Sequence, residues 1–189
     1  MILVSACLVG VNCCYDGSNN IQPELVNKLA TGCLLPVCPE QLGGLPTPRI
    51  PAEIRGGTGE DLLKSYDLSS DAVETAHKLD GGIGPLGFDE DAFQSSSTQV
   101  INQAGKNLTR QFLRGALEVV RLARSTGVRY AILKARSPSC GCGLIYDGSF
   151  KRCLINGDGV TTALLKKIGI KVFTEEQVTP ELLDKLISK

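Results

Sequence analysis

Apolar positions along the chain recur in two rhythms. Ile2-Leu-Val-Ser5, Cys33-Leu-Leu-Pro-Val-Cys38, Tyr130-Ala-Ile-Leu-Lys134 and Ile170-Lys-Val-Phe-Thr174 are short, nearly unbroken apolar runs. Such runs are what strands look like when both faces of their sheet are covered. Pro36, which cannot donate to a ladder, predicts an edge or a strand end for the second run. Between the runs the apolar period lengthens to that of a helix. Pro23 at a favoured first position and Gly32 just past the end bracket one helix. Asn107 to Thr126 is the clearest, with Leu113, Ala116, Leu117, Val120 and Ala123 on one face and Arg110, Arg114, Arg121 and Arg124 largely elsewhere. Val160 to Ile168 is a third, stopped by Gly169, and Thr179 with Pro180 opens a fourth. The proline-bearing stretch 39–59 is expected to be an ordered loop. Strands alternating with helices predict an α/β fold: a single three-layer domain, Rossmann-like, with a mainly parallel sheet flanked by helices. Ligands in such sheets bind beyond the carboxyl ends of the strands.

Composition narrows the function classes. The chain has 189 residues, 20 Lys+Arg against 20 Asp+Glu, one His and eight Cys. Zero net charge argues against a general polyanion binder. The charges are segregated, however: Glu53 to Asp91 holds ten acidic and three basic residues, Lys106 to Arg136 one acidic and eight basic. Two complementary solvated faces account for this more simply than a nucleic-acid surface, because no aromatic residues interleave the arginines as stacking platforms. No run approaches the ~20 apolar residues of a membrane span. Only six residues precede Cys7, too few for a signal peptide, so a cytoplasmic location is expected. Thiols stay reduced there, and eight of them point to metal binding or catalysis before a disulfide scaffold.

Three cysteines fall where this architecture gathers functional groups. Cys7 lies at the end of the first strand, Cys38 at the end of the second, and Cys140 after the third, in Ser137-Pro-Ser-Cys140-Gly141. Three thiolates without a fourth equivalent ligand suit a metal centre with an open position, the mark of a catalytic site; three buried structural thiols fit the spacing equally well. Cys142 is an alternative to Cys140. Adjacent Cys13 and Cys14 are expected to diverge, and Cys33 and Cys153 carry no metal spacing. Gly82-Ile-Gly-Pro-Leu-Gly87 matches a dinucleotide fingerprint but contains Pro85 and follows no strand, so that reading fails its context. His77 reads as a surface residue, and Asn156-Gly-Asp-Gly159 as a turn ahead of a helix.

Taken together, Ser5-Ala-Cys7-Leu-Val-Gly10, Tyr15-Asp-Gly17, Cys38-Pro-Glu40, Pro48-Arg-Ile-Pro-Ala-Glu53, Leu133-Lys-Ala-Arg-Ser137-Pro-Ser-Cys140-Gly141 and Ile145-Tyr-Asp-Gly148 resemble the DUF523 family, whose characterised members are thiouracil desulfurases. The resemblance implies one DUF523-like domain over residues 1–189, with residues 60–104 as a family-atypical insertion. It implies a [4Fe-4S] cluster ligated by three cysteines, Cys7, Cys38 and Cys140, whose fourth iron takes the substrate's sulfur. The implied reaction replaces the C=S of a thiolated pyrimidine, base or nucleotide, with C=O from water without redox change. Glu40 is the candidate base, or a carboxylate paired with Arg49 to fix its loop. Ser137, Ser139, Ser5 and Lys134 are candidate substrate-binding residues. Two other classes remain compatible with the thiols: an iron–sulfur or thiol redox sensor without turnover, and a zinc-stabilised binding module.

Overall fold

The computed structural model describes residues 1–66 and 96–188. Four strands, β1 (Ile2–Ser5), β2 (Leu34–Val37), β5 (Tyr130–Leu133) and β8 (Lys171–Thr174), form one sheet in the order β2-β1-β5-β8, every pair parallel. The expected α/β architecture is therefore present, and Pro36 lies in an edge strand as its missing N–H requires.

Alternation along these strands divides the core into two. Leu3, Val37, Ala131 and Leu133 face one side, where they meet Leu113, Ala116, Leu117 and Val120 of α4 (Thr109–Thr126) and Leu164 of α5 (Val160–Lys167). Ile2, Val4, Leu34 and Ile132 face the other, against Leu25 of α1 (Pro23–Leu29) and Leu183 and Leu186 of α6 (Pro180–Ile187). Each fully buried Leu or Ile contributes roughly 1.5–3 kcal/mol of transfer free energy, which is why strands this short suffice.

The segment 39–59 is not the plain loop expected. It contains α2 (Pro39–Leu42) and β3 (Ala52–Arg55), and α3 (Gly59–Ser65) begins at its end. β3 pairs antiparallel with β4 (Gln99–Asn102), more than forty residues on, so local sequence carried no sign of it. A second antiparallel ribbon joins β6 (Leu144–Tyr146) to β7 (Leu154–Asn156). α2 lies directly on α4: a Cβ at Gly115 would come within 1.9 Å of the Pro39 carbonyl oxygen, and one at Gly43 within 2.1 Å of that of Gln111. Only glycine permits this backbone contact, and it fixes Cys38 and Glu40 at the head of α2.

Among the described residues no helix is long and apolar enough to cross a membrane. Of residues 60–104, positions 67–95 lie outside the described residues, and with them His77 and Gly82 to Gly87.

Candidate metal and substrate cavity

The carboxyl ends of β1, β2 and β5 open into a cavity of about 610 Å³. Cys7 reaches it from the 3-10 turn Ala6–Val9 that follows β1, and Cys38 from the N-cap of α2. Cys140 reaches it from the turn after β5, which is stapled to the start of α5. The Cys140 carbonyl accepts the Thr162 hydroxyl at 2.8 Å, Ser139 and Thr161 share a hydroxyl–hydroxyl bond of 2.8 Å, and the Ser139 carbonyl accepts the Thr161 N–H at 2.9 Å.

Cys13 and Cys14 line the same cavity. Cys13 is buried, and its carbonyl accepts the Cys38 thiol at 3.9 Å. The expectation from their adjacency holds in part, for Cys14 turns toward the Asn20 amide, 2.9 Å away. The signal missed was the local fold: the chain turns back after Val9, bringing Cys13 over Cys38.

Cys13, Cys38 and Cys140 stand in an environment that favours their neutral forms. Cys38 is pushed up by its hydrogen bond with Cys13, then by burial and the nearby charges of Cys13 and Glu40. The hydrogen bond with Cys38 lowers Cys13, yet its bond with Cys7, burial and the charges of Cys7 and Cys14 carry it up to about 12. Burial raises Cys140 to about 12 against a lowering hydrogen bond from Ser5, with Cys38, Glu40 and Cys13 adding repulsion. The neighbouring cations do not relieve this. Arg49 binds Glu40 at 2.7 Å and Lys134 binds Glu175. A thiophilic cation bound to such a set would expel the thiol protons.

The remaining candidates divide between cavity and frame. Glu40 lines the cavity; Oε2 accepts from Arg49 Nε, while Oε1 takes no hydrogen bond from the described residues. Arg49 also donates to the Cys13 carbonyl at 3.0 Å, so one guanidinium orients the carboxylate and braces the thiol. Ser5 and Lys134 line the cavity as well, and the Lys134 N–H donates to the Ser5 hydroxyl at 3.0 Å. Ser137 lines it while its hydroxyl accepts the N–H groups of Ser139 and Cys140, both at 3.1 Å, capping the turn. Ser139 stands behind the wall, 1% exposed and engaged with Thr161. Cys142 turns away toward the Val172 carbonyl, and Cys153 is exposed. The Asp158 turn is structural: its carboxylate accepts the Gly143 N–H at 2.8 Å and pairs with Lys166 at 2.6 Å.

Much of the remaining lining was invisible to sequence reasoning. Glu53, Tyr146, Phe150, Arg136 and Arg152 line it, and the last three have φ of 58°, 61° and 60° respectively for Phe150, Arg136 and Arg152. Three non-glycine residues in the left-handed region around one cavity are a mark of function, each costing roughly 1–3 kcal/mol. Glu53, Arg136 and Tyr146 fall within quoted motifs that assigned them no role, and Phe150 and Arg152 fall in none.

Among the described residues no three Cys, His, Asp or Glu side chains converge closely enough to hold a single metal ion. A tetrahedral zinc site requires that convergence. An iron–sulfur cluster binds each thiolate at a separate iron, so its ligands need not converge on one point.

Comparison with known proteins agrees with this chemistry. A family model described as 2-thiouracil desulfurase matches residues 2–81 and 85–177. The chain is 35% identical to the uncharacterized protein YbbK of Bacillus subtilis (strain 168), over 94% of this chain and 97% of that one. It is similar, at 35% identity and a TM-score of 0.71, to the solved structure of a [4Fe-4S]-dependent thiouracil desulfidase, TudS, covering 100% of this chain and 98% of the other.

Proposed function

Because this chain belongs to the 2-thiouracil desulfurase family, we propose that it removes sulfur from a thiolated pyrimidine, C=S and water giving C=O and sulfide. The observation that carries the reading is the meeting of Cys7, Cys38 and Cys140 in one cavity with Glu40. Cys7, Cys38 and Cys140 are the residues that hold a [4Fe-4S] cluster. Such a cluster, when bound, supplies a thiophilic Lewis acid that draws on the substrate sulfur and polarises its carbon toward water.

The chain's own groups do the rest. Oε1 of Glu40, free of protein partners among the described residues, takes the proton of the attacking water, while Arg49 on Oε2 fixes the direction in which Oε1 points. Ser5, buried beside Cys140, gives its hydroxyl to that sulfur and holds the end of β5 through the Lys134 N–H. Ser137 shapes the Cys140 turn, and Lys134 presents a cation at the floor, steadied by Glu175. Ser139 acts only through the turn. Tyr146 and Phe150 offer ring faces to a flat heterocycle.

Anaerobically reconstituted protein is expected to contain iron and acid-labile sulfide and to convert thiouracil to uracil, releasing one sulfide per turnover. Protein that loads iron and sulfide yet yields no uracil would refute the catalytic reading and leave a sensor. Protein that takes up only zinc would refute the cluster.

A further inference from the structure

We infer that Glu53 is the carboxylate that reads the substrate's ring N3–H, an inference that rests on the desulfuration reading above. Glu53 stands on β3 and lines the same cavity as the thiols, 8% exposed. One oxygen, Oε2, accepts the N–H of Phe150 at 2.9 Å. The other takes no hydrogen bond from the described residues, and the side chain lines the cavity. Its counterpart Glu40 has Arg49 beside it at 2.7 Å, whereas no Lys or Arg pairs with Glu53 among the described residues. A buried carboxylate with an idle acceptor is costly unless a ligand donor completes it.

The surroundings say which donor. Tyr146 and Phe150 line the same cavity, and aromatic rings beside Glu53 suit a planar ligand. The loop that carries Phe150 is pressed onto β3, since a Cβ at Gly148, whose φ is +85°, would come within 2.6 Å of the Arg55 Cα. Phe150 is itself left-handed, and its N–H is the one that pins Glu53. Backbone strain, ring faces and carboxylate are thus one assembly aimed at a flat molecule with an N–H on its edge. In a thiouracil the N3–H adjoins both C2 and C4, the two positions that can carry sulfur. A carboxylate at N3–H therefore serves either isomer, and it disfavours a thiolated cytosine, whose N3 is an acceptor, and any N3-alkylated ring.

The test uses the product, which has no sulfur, so that recognition is measured apart from turnover. Binding of uracil, 1-methyluracil and 3-methyluracil to cluster-loaded protein is compared by calorimetry. The wild type is expected to bind uracil and 1-methyluracil at least about tenfold more tightly than 3-methyluracil, as a hydrogen bond to a charged group implies. Glu53→Gln, whose amide oxygen still accepts from Phe150, is expected to weaken uracil roughly 10- to 100-fold and to bring the ratio of the two ligands close to one. If Glu53→Gln does not fold, as judged by its melting curve, Glu53→Asp replaces it with the same expected loss of ratio. Wild type without preference, a variant that keeps the preference, or equal weakening of all three ligands overturns the assignment, the last because a framework residue acts on every ligand alike. Thiouracil turnover by the wild type decides the desulfuration reading separately. Preference without turnover sinks that reading and spares Glu53; turnover without preference does the reverse.

Discussion

The two walls of the cavity are built by different means. The thiol wall grows from the carboxyl ends of β1, β2 and β5, the first of them buried on both faces of a parallel sheet. The second wall, Glu53, Tyr146 and Phe150, rests on two ribbons of three or four residues a strand, β3–β4 and β6–β7, and the latter leaves Leu144 and Leu154 more than 40% exposed. The first wall holds several thiols at the ends of rigid strands, an arrangement suited to a metal centre. The second uses hydrogen bonds and left-handed turns to present a carboxylate and two rings. Reactivity and recognition are thus placed on separate parts of the fold, and each can be altered while the other is measured.

The largest effect is expected on the thiol wall. Cys7→Ser, Cys38→Ser and Cys140→Ser should each lose the cluster, read as loss of visible absorbance and of iron after anaerobic reconstitution, and with it all turnover. Cys153→Ser, exposed and outside the cavity, should keep both; a colourless Cys153 variant would show that the ligand set is wrong. Glu40→Gln separates base from ligands. It should retain iron and colour while turnover falls roughly 10²–10⁴-fold, the range for loss of a general base. Turnover like the wild type's would leave Glu40 as the partner of Arg49 and nothing more.

The same division explains what could be read from the chain alone. The central strands β1 and β5 were legible because burial on both faces leaves unbroken apolar runs, and the helix ends because Pro180, Thr179, Gly127 and Gly169 act locally. The three cysteines were legible because a parallel sheet gathers its strand ends on one side. Cys13 was not, since its approach to Cys38 depends on a turn with no spacing rule. Glu53 sat in a quoted motif without a role, because its partner Phe150 lies 97 residues away and non-glycine residues at positive φ have no sequence signature. Likewise β3 needed β4, which stands beyond a stretch of weak periodicity.

The smallest effect is expected at the base of the recognition wall. Thr58 caps α3 in a reciprocal box: its hydroxyl and N–H both donate to Asp61 Oδ2, at 2.9 and 3.1 Å, while its oxygen accepts the Asp61 N–H. The cap also ties the ribbons together, because the N–H of Gly59 donates to the Asp158 carbonyl beyond β7 at 2.8 Å. Thr58→Ala should cost about 1 kcal/mol, or about 2–4 °C in melting temperature for a chain of this size, with iron content unchanged. The Thr58 hydroxyl, then its N–H, holds Asp61 below the usual 3.8. A folded-state value lowered in this way contributes stability that is complete above the unfolded value and is lost as pH falls through the folded one. The gap between wild type and Thr58→Ala is therefore expected to be full at pH 7 and to shrink below pH 3.8 as the carboxylate protonates. A gap of equal size at pH 7 and pH 3 would assign it to the Thr58 methyl, which faces Gly157, in place of the charged cap.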